Sequence, residues 1–187
     1  DAEYKAYRLR YPLTKNAGLQ ADSFREMARE SHANGVNYTD ISYVGLEKPG
    51  TLRELHETAH ELEESPDTHG FALRFKHGIP RTFTVEQFKE SLEKAKILLR
   101  SPYILGTDIL GYEINKSSDF MEPLEEFALW MKQNRPDATL HVHAGENDKN
   151  PGNVKDILKL ALKYGIKVQI GHGIYGLDDE TIDMAKK

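Results

Sequence analysis

The sequence has no cysteine among its 187 residues, so disulfide bonds and thiolate metal sites are excluded. The enzymes that hold zinc through a P-C-x-x-C motif are excluded with them. No apolar run approaches the roughly 18 residues that a membrane helix needs, which argues against a membrane partner. A net charge of −5 without a basic block gives nucleic-acid binding no electrostatic support. A G-x-G-x-x-G motif for dinucleotides is also lacking.

The composition is that of a globular protein. Hydrophobic residues make up 39% and charged residues 29%, and 187 residues are enough for one sizeable core. The chain begins at Asp1 without an initiator methionine and ends at Lys187 inside a helical pattern, so we expect it to be part of a longer protein. The compartment is not determined, although the cytoplasm is favoured, and the oligomeric state is open.

Strand-like and helix-like segments alternate along the chain. Predicted strands cover residues 36–44, 70–75, 102–109, 138–140 and 166–170. Predicted helices cover residues 21–34, 52–62, 85–99, 121–133 and 154–164, and a last one begins at 178. Thr84 is the expected N-cap of the third helix, and Gly165 is expected to end the fifth.

Polar residues recur at or near the ends of these strands. Intervals of 34, 34 and 35 residues separate Asp40, Arg74, Asp108 and His143, and His172 follows after 29. Repeating β-then-α units of this length predict a parallel sheet with helical crossovers. Polar residues at the carboxyl ends of successive strands favour a (β/α)8 TIM barrel over an open doubly wound sheet. A complete barrel needs eight units and about 250 residues, so five strands predict an incomplete one.

Two clusters of histidine and glycine follow apolar segments. The first cluster runs from His141 to Glu146. Alternate side chains of a strand face the same way, so His141 and His143 are predicted to point to one side. Such an H-x-H pair is either structural or a two-ligand metal device. Gly145-Glu146 and the glycines that flank His172 favour a pocket, because glycine leaves little to pack around a histidine. Imidazoles act as metal ligands and general bases.

A third cluster runs from Gly106 to Glu113. Asp108 is a candidate metal ligand, a hydrogen-bonding partner that orients a ligand, or a cap at the strand end. Gly111 is expected to mark a turn that offers a backbone N–H to a bound molecule.

The sequence also contains a rival motif. His56-Glu-Thr-Ala-His60 fits H-E-x-x-H, the helical pattern of zinc peptidases. The surrounding helix is strongly acidic, and Glu63 and Pro66 stand where the extended motif requires glycine and histidine. Surface histidines are therefore the favoured interpretation.

Basic residues gather near the second polar strand. Arg74, His77 and Arg81 either bind an anion or include an arginine that pairs with Asp40 or Asp108.

The three clusters together resemble the adenosine deaminase family of the metal-dependent hydrolases. His143-Ala-Gly-Glu146 is similar to its H-A-G-E signature, residues 170–173 to its I-G-H-G, and residues 106–113 to its G-x-D-L-x-G-x-E segment. Order and spacing agree over roughly residues 36–187. The resemblance implies hydrolytic deamination of adenosine or a related aminopurine nucleoside, using one zinc ion per complete barrel.

The resemblance also implies roles for particular residues. His143 would be a zinc ligand, and Glu146 would donate a proton to a purine ring nitrogen. His172 would orient or deprotonate the attacking water and stabilise the developing oxyanion. Gly111 and Gly145 would contact the substrate, and Asp108 would orient the site from behind the ligand.

The family's other metal ligands fall outside this sequence. Its first-strand H-x-H would precede Asp1, and its late paired-aspartate motif would follow Lys187. We therefore expect residues 1–187 to form the central part of a single barrel domain, roughly strands two to six. By itself this chain is expected neither to hold zinc tightly nor to deaminate adenosine, and His141 is expected one layer deeper than His143.

Three functions remain open at this stage. The favoured one is a zinc-dependent aminohydrolase whose partner is a small purine, whether adenosine, adenine, AMP or a modified adenosine. The others are a zinc peptidase that uses His56 and His60, and a non-catalytic purine-binding barrel fragment.

Overall fold

The computed structural model describes residues 17–48 and 50–187, in which helices and parallel strands alternate. The five strands of this part are β1 (Tyr38–Tyr43), β2 (Ala72–Pro80), β3 (Ile104–Leu110), β4 (Thr139–Ala144) and β5 (Lys167–His172). Its six α-helices are α1 (Ala17–Ala33), α2 (Thr51–Glu64), α3 (Val85–Leu98), α4 (Met121–Asn134), α5 (Asn153–Tyr164) and α6 (Asp179–Ala185). No helix among these residues combines the length and the apolar character needed to cross a membrane.

The strands are hydrogen-bonded in chain order, from β1 to β5. The pairs β2–β3, β3–β4 and β4–β5 are parallel, and Asp108 stands opposite His141 while His143 stands opposite Gly171. Parallel neighbours in chain order, each followed by a helix, have the topology of an incomplete (β/α)8 barrel. The predicted fold class is confirmed.

The chain divides into two compact units. Of the described residues, the first unit takes in 17–41, 45–48 and 50–74. Within it α1 packs on α2, and the Arg25 guanidinium pairs with the Glu61 carboxylate at 2.8 Å.

The second unit contains Ser42–Val44 and Phe75–Lys187, and it carries the polar strand ends. Its β4 alternates strictly: Leu140, Val142 and Ala144 are buried. The two histidines between them are half-buried on the opposite face. Since successive side chains of a strand point to opposite faces, one face of β4 supplies the core and the other supplies the imidazoles. The core adds apolar side chains from the helices, among them Phe88, Leu92, Phe127 and Ile157.

The predicted bounds of β2 and β5 differ from those of the structure. The segment predicted as 70–75 begins at Ala72 and runs to Pro80, since His77, Gly78 and Pro80 pair in register with β3. Pro80 is tolerated as the last residue of the strand, although the H-G-I-P sequence is typical of a turn. β5 likewise continues through His172, beyond its predicted end, whereas β4 includes the two histidines that the sequence placed on a strand.

The start of α3 offers a test of the local sequence signal. Thr84 is the N-cap, its hydroxyl accepts from the Gln87 N–H at 3.3 Å, and the Gln87 side chain accepts from the Thr84 N–H at 3.0 Å. We expect Thr84→Ala to lower the free energy of unfolding by about 1 kcal/mol, because it removes one half of this capping box. Chemical denaturation measures the change. The exposed neighbour Thr82, changed to Ala, is the control; equal losses in both variants would contradict the cap's contribution.

Candidate active site

Three strand ends bring together the polar residues that the sequence singled out. β3 supplies Asp108, β4 supplies His141 and His143, and β5 supplies His172. The ring centroids of His141 and His143 are 5.4 Å apart, and those of His143 and His172 are 5.0 Å apart. His143 therefore stands in the middle of a row of three imidazoles.

Asp108 lies behind this row, with only 1% of its side chain exposed. Its Oδ2 is 3.2 Å from His141 Nδ1, and its Oδ1 is 3.7 Å from His143 Nε2. The Ser42 hydroxyl donates a hydrogen bond to Oδ2. The structure places Asp108 beside His141 and His143, and its role as a metal ligand or as an orienting partner stays a prediction.

His172 is held in an unusual backbone conformation. Its φ is 70°, and no other non-glycine residue among residues 17–48 and 50–187 has a positive φ. The left-handed region costs energy for a residue with a Cβ and is found mostly at functional positions. The conformation brings His172 Nε2 to 3.3 Å from His143 Nδ1.

The environment of His143 favours its neutral form. Burial lowers the pKa of the imidazole, and the nearby histidines act in the same direction. The negative charges of Asp108 and Glu146 oppose this shift. A neutral imidazole is the form that binds a metal ion.

The loop after β4 is held by a carboxylate that sequence reasoning did not assign. Glu113 is fully buried, and its two oxygens accept from the N–H groups of Gly145 (3.1 Å) and Glu146 (2.8 Å). Its Oε1 also accepts from Asn153 Nδ2 at 2.7 Å. The sequence offered one indication of a role for Glu113, its position at the end of the G-x-D-x-x-G-x-E segment. Its hydrogen-bond partners lie more than 30 residues away, so no local pattern identifies them.

Glu146 itself is half-buried beside the histidines. Its Oε2 is buried and accepts no hydrogen bond from the residues that the structure describes. Its charge acts on the pKa values of both His143 and Arg81, so the carboxylate lies in the same polar site.

Gly145 joins the loops that follow β4 and β5. Its carbonyl accepts from the N–H groups of Ile174 (2.9 Å) and Tyr175 (3.0 Å), while its own N–H is held by Glu113. A Cβ here would lie 2.4 Å from the Tyr175 carbonyl oxygen, and the φ of 71° also favours glycine. The predicted contact of Gly145 with a substrate stays a prediction.

Gly111 follows β3 directly and is exposed. Its φ is 94°, and no atom lies within 4 Å of the place where a Cβ would stand. Open space thus surrounds the position at which the sequence predicts a backbone contact with a substrate.

Arg81 contacts backbone carbonyl oxygens, and its predicted binding of an anion stays a prediction. This buried guanidinium donates to the carbonyl oxygens of His143 (2.7 Å) and Asn115 (2.9 Å) instead of meeting an aspartate. Burial lowers its pKa, while the charges of Glu113 and Glu146 raise it. Arg81 thereby holds the end of β4 in place. Arg74 forms an ion pair with Glu63 at 2.5 Å.

One set of side chains has donor atoms close enough to hold a metal ion. The candidate ligand atoms of Asp108, His141 and His143 all lie within 4.8 Å of one another. Among residues 17–48 and 50–187 no other histidine or carboxylate set of three meets this condition. His56 and His60, on α2, belong to no such set in the described part of the chain, and His60 is exposed.

The same fold occurs in solved structures. The N6-methyl-AMP deaminase from Arabidopsis thaliana superposes with a TM-score of 0.71 at 20% identity, over 98% of this chain and 54% of that one. The Arabidopsis protein ADAL complexed with IMP gives 0.68 at 19% identity, over 98% and 54%. A Burkholderia ambifaria amidohydrolase with bound zinc gives 0.53 at 16%, over 82% and 42%.

These likenesses establish the fold, and the chain spans about half the length of the first two structures. No protein-family model and no curated protein sequence matches the chain significantly.

Proposed function

We propose that this chain is the central part of a zinc-dependent aminohydrolase that removes the 6-amino group of a purine nucleoside or nucleotide, giving the inosine-type product and ammonia. The observation that carries the proposal is the position of His143. It stands between Asp108 and His172 at the carboxyl ends of parallel strands, beside the loop that bears Glu146. Active sites of (β/α)8 barrels lie at this end of the strands.

The donor atoms fit a metal ion. His143 offers a nitrogen in a setting that favours the neutral imidazole, and the buried Oδ1 of Asp108 has no hydrogen-bond partner among the described residues. When bound, zinc would lower the pKa of a water molecule toward neutrality and so supply a nucleophile. His143 is its proposed ligand from this chain.

Glu146 is the proposed proton donor to the purine ring. Attack on the carbon that bears the amino group pushes electrons onto the adjacent ring nitrogen, and a proton delivered there avoids negative charge on the heterocycle. The unpartnered Oε2 of Glu146 is an atom that this step can use, since no protein hydrogen bond in the described part of the chain competes for it. Glu113 fixes the backbone from which Glu146 projects.

His172 is the proposed partner of the attacking water. Its strained backbone and its contact with His143 direct the imidazole into the site. It would orient or deprotonate the water and stabilise the oxygen as it becomes anionic. The Gly111 N–H, at the open end of β3, is proposed to bind a second purine nitrogen.

Solved structures of other proteins with this fold support the proposed substrate class. Solved structures of the same fold include an N6-methyl-AMP deaminase and complexes of ADAL with IMP and with GMP. These favour a phosphorylated purine at least as much as adenosine. The base would be read by the strand ends of this chain, and ribose or phosphate by further segments of the complete protein.

The proposal is tested with a complete protein that contains this chain. We expect the zinc-loaded enzyme to convert one of adenosine, AMP or N6-methyl-AMP to the inosine-type product, and a chelator to remove the activity until zinc is restored. Release of ammonia, or of methylamine from N6-methyl-AMP, and the change in purine absorbance measure the reaction. The isolated 187-residue chain is proposed to be inactive. A zinc-loaded complete protein that deaminates none of these purines would refute the proposed aminohydrolase function. If that protein bound a purine without converting it, the non-catalytic purine-binding alternative would be favoured.

The rival peptidase motif makes a separate prediction. We expect His56→Ala in the complete protein to change the rate of deamination by less than about twofold, because no set of three metal donors among the described residues includes His56. The purine assay with the best substrate measures the rate. If His56→Ala removed both zinc and deamination, the active site would lie on α2 instead of at the strand ends.

A further inference from the structure

We propose that Asn153 is a positioning residue, whose side-chain amide joins the two contacts that hold the segment from His143 to Glu146 at the end of β4. The inference rests on the proposed function in one respect, the roles of His143 and Glu146 in the reaction. Asn153 itself lies outside the motifs that indicated the site from the sequence.

Two side chains hold this segment by its backbone. Arg81 Nη1 donates to the His143 carbonyl oxygen at 2.7 Å, and Glu113 Oε2 accepts from the Glu146 N–H at 2.8 Å. The first contact fixes the start of the segment, and the second fixes its end. The position of Glu146 relative to His143 therefore depends on how Arg81 and Glu113 are placed relative to each other.

Asn153 connects these two side chains through one NH2 group. Its Nδ2 donates to Glu113 Oε1 at 2.7 Å and to the Asn115 carbonyl oxygen at 3.1 Å. The same carbonyl oxygen accepts from Arg81 Nη2 at 2.9 Å. Both hydrogen atoms of the amide are thus used, one toward each of the two contacts.

The oxygen of the amide fixes its orientation. Asn153 Oδ1 accepts from the Ser117 N–H at 2.6 Å. Turning the amide over would direct its oxygen at the Glu113 carboxylate and its NH2 group at the Ser117 N–H. Only one orientation of this side chain therefore satisfies its neighbours.

These contacts differ from those of a helix cap. Asn153 is the first residue of α5, whereas its side-chain partners lie 36 to 40 positions earlier in the chain. A capping side chain accepts from N–H groups in the first turn of its own helix. Asn153 instead ties the start of α5 to the loop that follows β3.

The hydrogen bonds lie in the protein interior. The side chains of Asn153, Arg81, Glu113 and Ser117 are all buried. Water cannot readily replace a bond lost there, and a buried group without its partner is costly. We therefore expect a change at Asn153 to be transmitted to the backbone of Glu146.

The first test is Asn153→Asp in the complete, zinc-loaded protein. Aspartate keeps the size of the side chain and an acceptor for the Ser117 N–H, but it sets a carboxylate oxygen against Glu113 Oε1. Two carboxyl groups this close repel each other strongly when both are ionised. At acidic pH one shared proton restores a donor toward Glu113, and at higher pH that proton is lost.

The expected result is a change in the pH profile of deamination. At about pH 8 the kcat of Asn153→Asp should be at least about tenfold below that of the wild type, while KM changes less than about threefold. The ratio of variant to wild-type kcat should rise as the pH is lowered toward about 6. Zinc content measured in parallel shows that the metal is retained.

Two further variants isolate the contact with Glu113. Asn134→Asp adds the same charge at the exposed end of α4, and its kcat should stay within about twofold of the wild-type value at both pH values. Asn153→Ala removes the bridge without adding a charge. Its kcat should fall by a factor that does not depend on pH.

Hydrogen exchange at the backbone of Gly145 and Glu146 gives a readout that does not depend on deamination. Glu113 accepts from both N–H groups, and in Asn153→Ala they should exchange at least about tenfold faster than in the wild type. This measurement also covers an Asn153→Asp protein that fails to fold.

Two results would overturn the proposal. One is wild-type exchange at both amides in Asn153→Ala, and the other is a kcat ratio for Asn153→Asp that does not vary with pH. Faster exchange as described, in a complete protein that deaminates no purine, would instead remove the proposed function alone.

Discussion

Changing Glu146 to glutamine in the complete protein is expected to lower the kcat of purine deamination by about 10³-fold. Glutamine keeps the size of the side chain and cannot release a proton to the ring nitrogen. Without that proton the attack builds negative charge on the heterocycle. KM should change far less, because the amide still fills the space beside His143 and Arg81.

The neighbouring acid provides the control. Asp148 is exposed two residues further along the same loop, and Asp148→Asn removes the same charge from outside the site. Its kcat should stay within about twofold of the wild-type value. Steady-state kinetics with the best purine, with zinc content measured in parallel, separates loss of chemistry from loss of metal. A Glu146→Gln enzyme that keeps a tenth or more of the wild-type kcat would rule out this residue as the proton donor.

The fold was largely predictable because its signals are local. Helix periodicity, the Thr84 capping box and the left-handed Gly165 that ends α5 are each written within a few residues. The strand ends were predicted less well. In β4 the histidines occupy the face opposite the core, so the apolar pattern stops before the hydrogen-bonded strand does.

The candidate site was predictable only where chemistry leaves a motif. The spacing of His143, Glu146 and His172 indicated a common site, and the structure brings the two histidines within 3.3 Å. The partners of Arg81 and Glu113 were not predictable. Arg81 meets the carbonyl oxygen of His143, 62 positions away, and a backbone carbonyl carries no sequence signal.

Glu113 is the support on which the position of Glu146 depends. Its fully buried carboxylate receives the Gly145 N–H on one oxygen and the Glu146 N–H on the other, and Asn153 donates to the first oxygen as well. Glutamine has the same shape but only one acceptor oxygen. In either orientation of the amide, its NH2 group faces a buried N–H donor.

We therefore expect Glu113→Gln to lower the free energy of unfolding by about 3 kcal/mol, since a buried donor is left unsatisfied and a charge-assisted bond is lost. Chemical denaturation gives the value, and the exposed Glu90 on α3, changed to Gln, is the control, with an expected change below about 0.5 kcal/mol. In the complete protein kcat should also fall while zinc stays bound, because the metal donors lie on the strands and Glu146 lies on the loop. A Glu113→Gln protein as stable and as active as the Glu90→Gln control would mean that the strand ends hold this loop without the carboxylate.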